Sequence, residues 1–381
     1  MADTPSRGPA LAVSNGQPVP GRTDPGGMTR EEMIRRAREL APRLRERAGE
    51  CERERRTPDA TIAEMKEAGL LRLLQPARHG GYEMDWDLFC DITQLLAQAC
   101  GSQAWVYRVL ADHPQMLGTF PGEAQDDVWG RNPDVLASSS FAPVGQAYAA
   151  PGGFRFSGRH SFSSGIDHAD WVICGGFIKD GAELAGKMAF FLIPKSAGRV
   201  IDDWFVNGLE GSGSKSFAVD DVFVPAHRML EASASTSGTG PGAKVNTAPL
   251  YRLPRLGYTT AAFTSLMLGM AQSMLDDWLE YTATRRSWGQ PVAQNETTQI
   301  VAAEAACEII AAEKITMDIL RESVRRLNAG EQLPAALTAK VTGQVVYGCQ
   351  LALTAGNPFF VRELESERNA TTGVEKTISR D

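Results

Sequence analysis

No apolar run in this 381-residue chain reaches the roughly eighteen residues that a spanning helix needs, so no membrane span is expected. Surplus positive charge is also missing. With 39 Lys+Arg against 46 Asp+Glu the net charge is −7, and nothing offers the broad basic footprint of a nucleic-acid binder. The first residues, MADTPSRGPALAVSNGQPVPGRTDPGG, contain no apolar core of the kind that marks a secretory signal. The six cysteines are scattered, without a CxxC pair or a dense framework, and read as free thiols in a reducing cytoplasm. The five histidines show no HExxH spacing, so no metal site is expected. GxSxG and GxGxxG are both absent, which removes the nucleophile elbow of a hydrolase and the phosphate turn of a dinucleotide domain.

The pattern that is present changes texture twice. Residues 1–27, rich in Pro, Gly, Ser and Thr, read as a disordered leader. From there to residue 134 the chain reads as a helical domain. Thr29 and Glu32 have capping-box spacing ahead of Met33, Ile34, Ala37, Leu40 and Leu44. Thr57-Pro58 opens a second helix, and residues 85–118 form a mostly apolar helical stretch ending near Pro121. Residues 135–230 alternate short apolar strands with Gly-rich turns, as in a β-barrel or small sandwich. Residues 231–249 are low in complexity and read as a mobile loop. In the C-terminal segment 250–381 three long apolar-striped helices are read, roughly Gly257–Thr284, Glu296–Asn328 and Pro334–Thr354, with small residues that permit close helix packing.

Chemistry-bearing residues are few. Trp105 and His113 lie a little over two helical turns apart, so they can share one face and line a planar aromatic ligand; they are equally compatible with an ordinary core. His160 and His168 flank Phe162-Ser163-Ser164-Gly165 in β texture and read as strand-end residues.

The helix–β–helix order, with Tyr281-x-x-x-Arg285-x-x-Trp288-Gly289-x-Pro291 and Gln299 beyond it, resembles the acyl-CoA dehydrogenase fold and its flavin-binding signature. Phe162-Ser163-Ser164 stands where those dehydrogenases place a Trp-x-Thr against the flavin, and Leu209-x-Gly-Ser-Gly-Ser214 with Val222-Phe-Val-Pro225 resembles their strand pair. The dehydrogenase TEPxxGSD stretch is replaced by Ser138-Ser139-Ser140-Phe141-Ala142-Pro143-Val144-Gly145. Together with SxxW, His113, Phe120-Pro121 and FSSG, it is similar to the two-component flavin-dependent monooxygenases, which include 4-hydroxyphenylacetate and steroid-phenol hydroxylases.

That resemblance implies an α+β architecture: an N-terminal helical domain, a central β-barrel and a C-terminal four-helix bundle. It also implies a homotetramer that takes reduced FMN (or FAD) from a separate NAD(P)H:flavin reductase. Oxygen transfer to a small aromatic, phenolic substrate would then pass through a C4a-hydroperoxyflavin, which has to be kept from water. By motif position Ser164 hydrogen-bonds near flavin N5 and Phe162 covers the ring. Trp105, Ser139, Ser140 and Phe141 line it, with Ser163 beside them. His113 with Ser139 orients or deprotonates the phenol. Arg285 binds flavin phosphate across a subunit boundary, with Trp288 and Gly356 also at the cofactor. Ala355-Gly356-Asn357-Pro358 resembles the family's Gly-rich turn, and Val374–Asp381 its closing element after a longer polar stretch; a second family histidine falls just past Asp381. An acyl-CoA dehydrogenase, an N- or S-oxygenase of the same fold and a degenerate scaffold are the competing readings.

Overall fold

The computed structural model describes residues 27–180 and 184–372, so most of the expected leader and the whole Val374–Asp381 element lie outside the described residues. The N-terminal helices are α1 (Arg30–Glu46), α2 (Ala48–Arg53), α3 (Asp59–Glu67), α4 (Trp86–Ala97), α5 (Gly101–Leu117) and α6 (Gly122–Trp129). Thr29 caps α1, its hydroxyl accepting the Glu32 N–H at 3.1 Å, as its spacing predicts. The apolar stretch from 85 to 118 is helical as expected, and holds two helices. It breaks at Gln98–Cys100, where Gly101 packs close against the side-chain ends of Met270 and Leu209.

The middle of the chain forms β1 (Ala137–Ala150), β2 (Gly153–His160), β3 (Trp171–Ile178), β4 (Met188–Pro194), β5 (Arg199–Ile201), β6 (Ser216–Pro225) and β7 (Met229–Glu231). They make one sheet in the order β5-β6-β2-β1-β3-β4-β7, in which only β1 and β3 run parallel. Among the described residues the edge strands β5 and β7 do not pair with each other, so the sheet is open and the expected closed barrel is not formed. A register shift between Ser140 and Gly145 bends β1 away from β3 directly after the three serines. Phe156, Phe191 and Phe217 fill the core under the sheet.

Residues 231–249, read from composition as a loop, contain α7 (Ala232–Ser237) and a turn at Pro241–Lys244 seated on the end of α5. Asn246 Nδ2 donates to the Gly118 carbonyl at 2.7 Å and to Gln125 Oε1 at 2.9 Å, which ties the segment down.

The last part holds α8 (Arg255–Thr284), the small hairpin β8 (Arg286–Ser287) and β9 (Gln290–Pro291), α9 (Glu296–Asn328) and α10 (Ala335–Thr372). Among the described residues this gives three long C-terminal helices, with α4 laid against α8, rather than four from the C-terminal segment. Ala355–Pro358, expected to turn, stays helical instead, and Gly356 lies buried inside α10 near Met274 of α8. One core runs through α1, α4, α5, α8 and α9, with Phe89, Tyr107, Tyr258 and Leu320 fully buried. A further cluster, Met116, Phe120, Trp129, Ile173 and Leu192, clamps the end of α5 against the sheet. Burial of each such large side chain contributes roughly 1.5–3 kcal/mol. Helix α5 is therefore held between the helical and β layers.

Candidate functional site

Two polar pairs join α5 to the β layer. At one, the His113 ring is 1% exposed, with Nδ1 2.6 Å from the Ala137 carbonyl and Nε2 2.8 Å from Ser139 Oγ. A carbonyl only accepts, so Nδ1 carries the proton. The Ser139 hydroxyl then donates to Nε2, and its oxygen lone pairs remain free to accept. Desolvation pushes the His113 pKa down to about 4, with Arg255 and Arg108 adding to the shift, so the ring is neutral at physiological pH. Phe141 meets the His113 ring edge-on at 5.8 Å.

At the other, the half-buried Trp105 donates its Nε1–H to Ser164 Oγ at 2.8 Å. Ser164 Oγ also lies 2.6 Å from Ser214 Oγ, and Ser214 lies 2.8 Å from Ser212 Oγ. The two pairs are linked through Ser138, whose hydroxyl donates to the Ser164 carbonyl at 2.9 Å. Ser140 spends its hydroxyl on the Ser161 carbonyl at 2.8 Å, and the fully buried Ser163 bonds to the His160 carbonyl at 3.4 Å. Phe162 shows the opposite behaviour. Its ring is 69% exposed, edge-on to Trp204 at 5.6 Å, while its backbone sits at φ +59°. A bulky side chain in the left-handed region costs about 1–3 kcal/mol, and such strain collects at ligand sites.

Behind His113 lies a buried ionic cluster. Asp112 pairs with Arg255 at 2.6 Å and with Arg108 at 3.5 Å, and Arg108 lies 3.7 Å over the Phe263 ring. Burial pushes Arg108 down to about 10, which leaves it charged at neutral pH.

The remaining residues predicted at the cofactor stand apart. Arg285 is exposed, 4.9 Å over the Tyr281 ring, with no ion-pair partner among the described residues. Trp288 and Gly289, at φ +51° and +78°, turn the β8–β9 hairpin, and Trp288 is 94% exposed. Among the described residues no hydrogen bond or ring contact joins Arg285, Trp288 or Gly356 to the two α5 pairs. The sequence reading assigned no role to Ser138, Ser212, Ser214 or the Arg108–Asp112–Arg255 cluster. Ser212 and Ser214 carried a signal, the alternation of Gly and Ser in Gly211-Ser212-Gly213-Ser214. Cys51, Glu52 and Cys100 place metal-ligating atoms within 4.8 Å of one another, a grouping that their spacing in sequence conceals. Both Glu52 oxygens are already bonded there, to Ser102 and to Gly211 N.

The donor set suits a flavin. An exposed, strained aromatic ring beside a hydroxyl that takes a tryptophan N–H fits a flat heterocycle, while Arg285, apart from this group, has the charge to bind a phosphate.

Residues 28–129 match the family model described as acyl-CoA dehydrogenase, N-terminal domain, and residues 261–360 match acyl-CoA dehydrogenase, C-terminal domain. The chain is 37% identical to the flavin-dependent monooxygenase oxygenase subunit HsaA of Rhodococcus jostii, over 84% of this chain and 85% of that one. It is 32% identical to the oxygenase component of an FADH2-dependent resorcinol hydroxylase from a Rhizobium species, over 95% and 88%. Among solved structures, 3-HSA hydroxylase from Rhodococcus sp. RHA1 superimposes with a TM-score of 0.83 at 34% identity, covering 91% of this chain and 88% of that one. The chain therefore belongs to the flavin-dependent monooxygenases, as an oxygenase component built on the acyl-CoA dehydrogenase domains.

Proposed function

We propose that this monooxygenase hydroxylates a small phenolic ring, holding the phenol hydroxyl on Ser139 with His113 behind it. The supporting observation is the 2.8 Å contact between Ser139 Oγ and His113 Nε2, with Nδ1 fixed on the Ala137 carbonyl. Ser139 gives its proton to His113 and keeps lone pairs to accept the phenol O–H. A ring nitrogen whose pKa is about 4 does not take a proton outright from a phenol of pKa about 10. The pair therefore orients the phenol and strengthens its O–H donation, raising electron density at the ring carbons. Bound reduced flavin supplies dioxygen activation and transfer of one oxygen atom to that ring. Trp105 holds the Ser164 hydroxyl that would face flavin N5, and the exposed Phe162 ring would lie over the bound heterocycle and shield it from water. Ser140, Phe141 and Ser163 shape the wall behind it.

Reduced FMN is the proposed cofactor, with FAD the alternative, delivered by a separate NAD(P)H:flavin reductase in the cytoplasm. The assembly is proposed as a homotetramer in which Arg285, with Trp288 beside it, serves a neighbouring subunit's flavin, whereas Gly356, buried inside α10, is not offered to it. The exposure of Arg285 and Trp288 within one protomer supports this.

The test compares a monophenol with its methyl ether, using chemically reduced FMN and oxygen. Hydroxylation of the phenol and at least tenfold less of the ether, with Ser139→Ala removing the difference, supports the reading. Equal turnover of both, or oxygenation of a heteroaromatic N or S with the phenol inert, overturns it.

A further inference from the structure

The hydrogen-bond chain Trp105–Ser164–Ser214–Ser212 runs wholly through side chains, and its three serines are at most 4% exposed. Indole N–H only donates, whereas each hydroxyl carries one proton and two lone pairs. This stoichiometry allows three orientations, but the one in which Ser214 accepts from both neighbours leaves its own proton without a hydrogen-bond partner among the described residues, so two remain. In one, Ser212 donates to Ser214 and Ser214 to Ser164; the Ser164 oxygen is then filled by Ser214 and Trp105, and its own proton points out of the chain. In the other, Ser164 donates to Ser214 and Ser214 to Ser212. Ser164 then keeps one lone pair beside the Trp105 N–H and presents an acceptor.

The far end of the chain is firmly held. Ser212 closes a short turn at Glu210–Ser212, flanked by Leu209 and Gly213 at φ +56° and +55°. Gly211 donates its N–H to Glu52 at 3.0 Å, and its carbonyl accepts Thr57 Oγ1 at 3.3 Å and the Cys51 thiol at 3.4 Å. Among the described residues no acid or base bonds to Ser212, so the chain reorients hydroxyls but delivers no proton to a base.

We infer that Ser214, supported by Ser212, is a positioning residue that sets the direction of the Ser164 hydroxyl and thereby the preference of the site between reduced and oxidised flavin. The inference rests on the proposed placement of flavin N5 at Ser164. Reduced flavin carries a hydrogen on N5 and needs an acceptor, whereas oxidised flavin offers a lone pair and needs a donor. Acceptance by Ser164 requires its own proton to go to Ser214. Without Ser214 that proton is buried with no partner when reduced flavin is bound, while oxidised flavin can still take it. An unsatisfied buried donor costs more than an unfilled lone pair. The loss therefore falls mainly on the reduced form.

The experiment is anaerobic titration of the full chain with oxidised FMN and with dithionite-reduced FMN, giving the ratio of the two affinities. Ser214→Ala is expected to lower the preference for reduced FMN about tenfold, which moves the two-electron potential of bound flavin about 30 mV more negative. Ser214→Thr, which keeps a hydroxyl, restores the ratio. Ser212→Ala shifts it about threefold in the same direction, an independent check should Ser214→Ala fold poorly. In a Ser164→Ala background, Ser214→Ala has no further effect. An unchanged ratio in both serine variants, with wild type binding both forms, overturns this inference and leaves the proposed function standing. Failure of wild type to bind either form overturns both.

Discussion

His113 shows how much a single side chain's surroundings decide. An imidazole ordinarily titrates at 6.5, but full burial holds this one neutral to about pH 4. The folded protein therefore resists taking a proton that the unfolded chain accepts below pH 6.5. The stability from neutral His113 is complete above 6.5, declines as pH falls from 6.5, and is lost by about pH 4. His160, buried to about pH 4 as well, adds a parallel contribution, so the His113 share is read by difference. Urea midpoints between pH 7 and 4.5 are expected to fall more steeply for wild type than for His113→Asn; parallel curves would contradict the assignment. The acid limb of kcat/KM for a phenol is likewise expected well below 6.5, and a limb at 6.5 would mean a solvated imidazole. Of this site, the candidacy of Trp105, His113, Ser139 and Ser164 was legible because the motifs keep their order. The contacts of Ser164 with Ser214, 50 residues away, and of His113 with Ala137 were not, because only the fold brings such partners together.

Helices and turns were legible where a local signal governs them. The Thr29 cap and the alternating strands follow from neighbouring residues alone. The open sheet and the helical path through Gly356 depend on packing between distant segments, and composition pointed elsewhere. Residues 231–249 make the same point: a Gly/Ser-rich stretch is ordered where Asn246 finds partners on α5 and α6. The turn carrying Ser212 also depends on tertiary contact. A Cβ on Gly211 would come within 2.3 Å of Cys51 Sγ and 2.8 Å of its carbonyl. Gly211→Ala is expected to destabilise the fold by roughly 1–3 kcal/mol and to dislodge the turn. The checks are the urea midpoint and the reduced-to-oxidised FMN affinity ratio; wild-type values for both would show that the turn is not anchored on α2.

Across the whole molecule, the helical and β layers meet at α5, and no helix among the described residues is long and apolar enough to cross a membrane. What one protomer leaves open is the role of the β8–β9 hairpin, whose Trp288 ring faces solvent and whose Arg285 lacks an ion-pair partner among the described residues. In the proposed tetramer this indole lies at the contact between subunits. Sedimentation is expected to give a species near four times 41.2 kDa, and Trp288→Ser to shift it to smaller assemblies with weaker FMN binding. A 41.2 kDa species with full FMN affinity would contradict the shared site. The central claim, that this chain alone turns reduced flavin and dioxygen into ring hydroxylation, is tested most directly with isotope. The purified chain, chemically reduced FMN, a monophenol and 18O2 are combined with no reductase present. The account predicts a catechol or hydroquinone product carrying one 18O atom per ring. Unlabelled product, or hydrogen peroxide with no product at all, would contradict it.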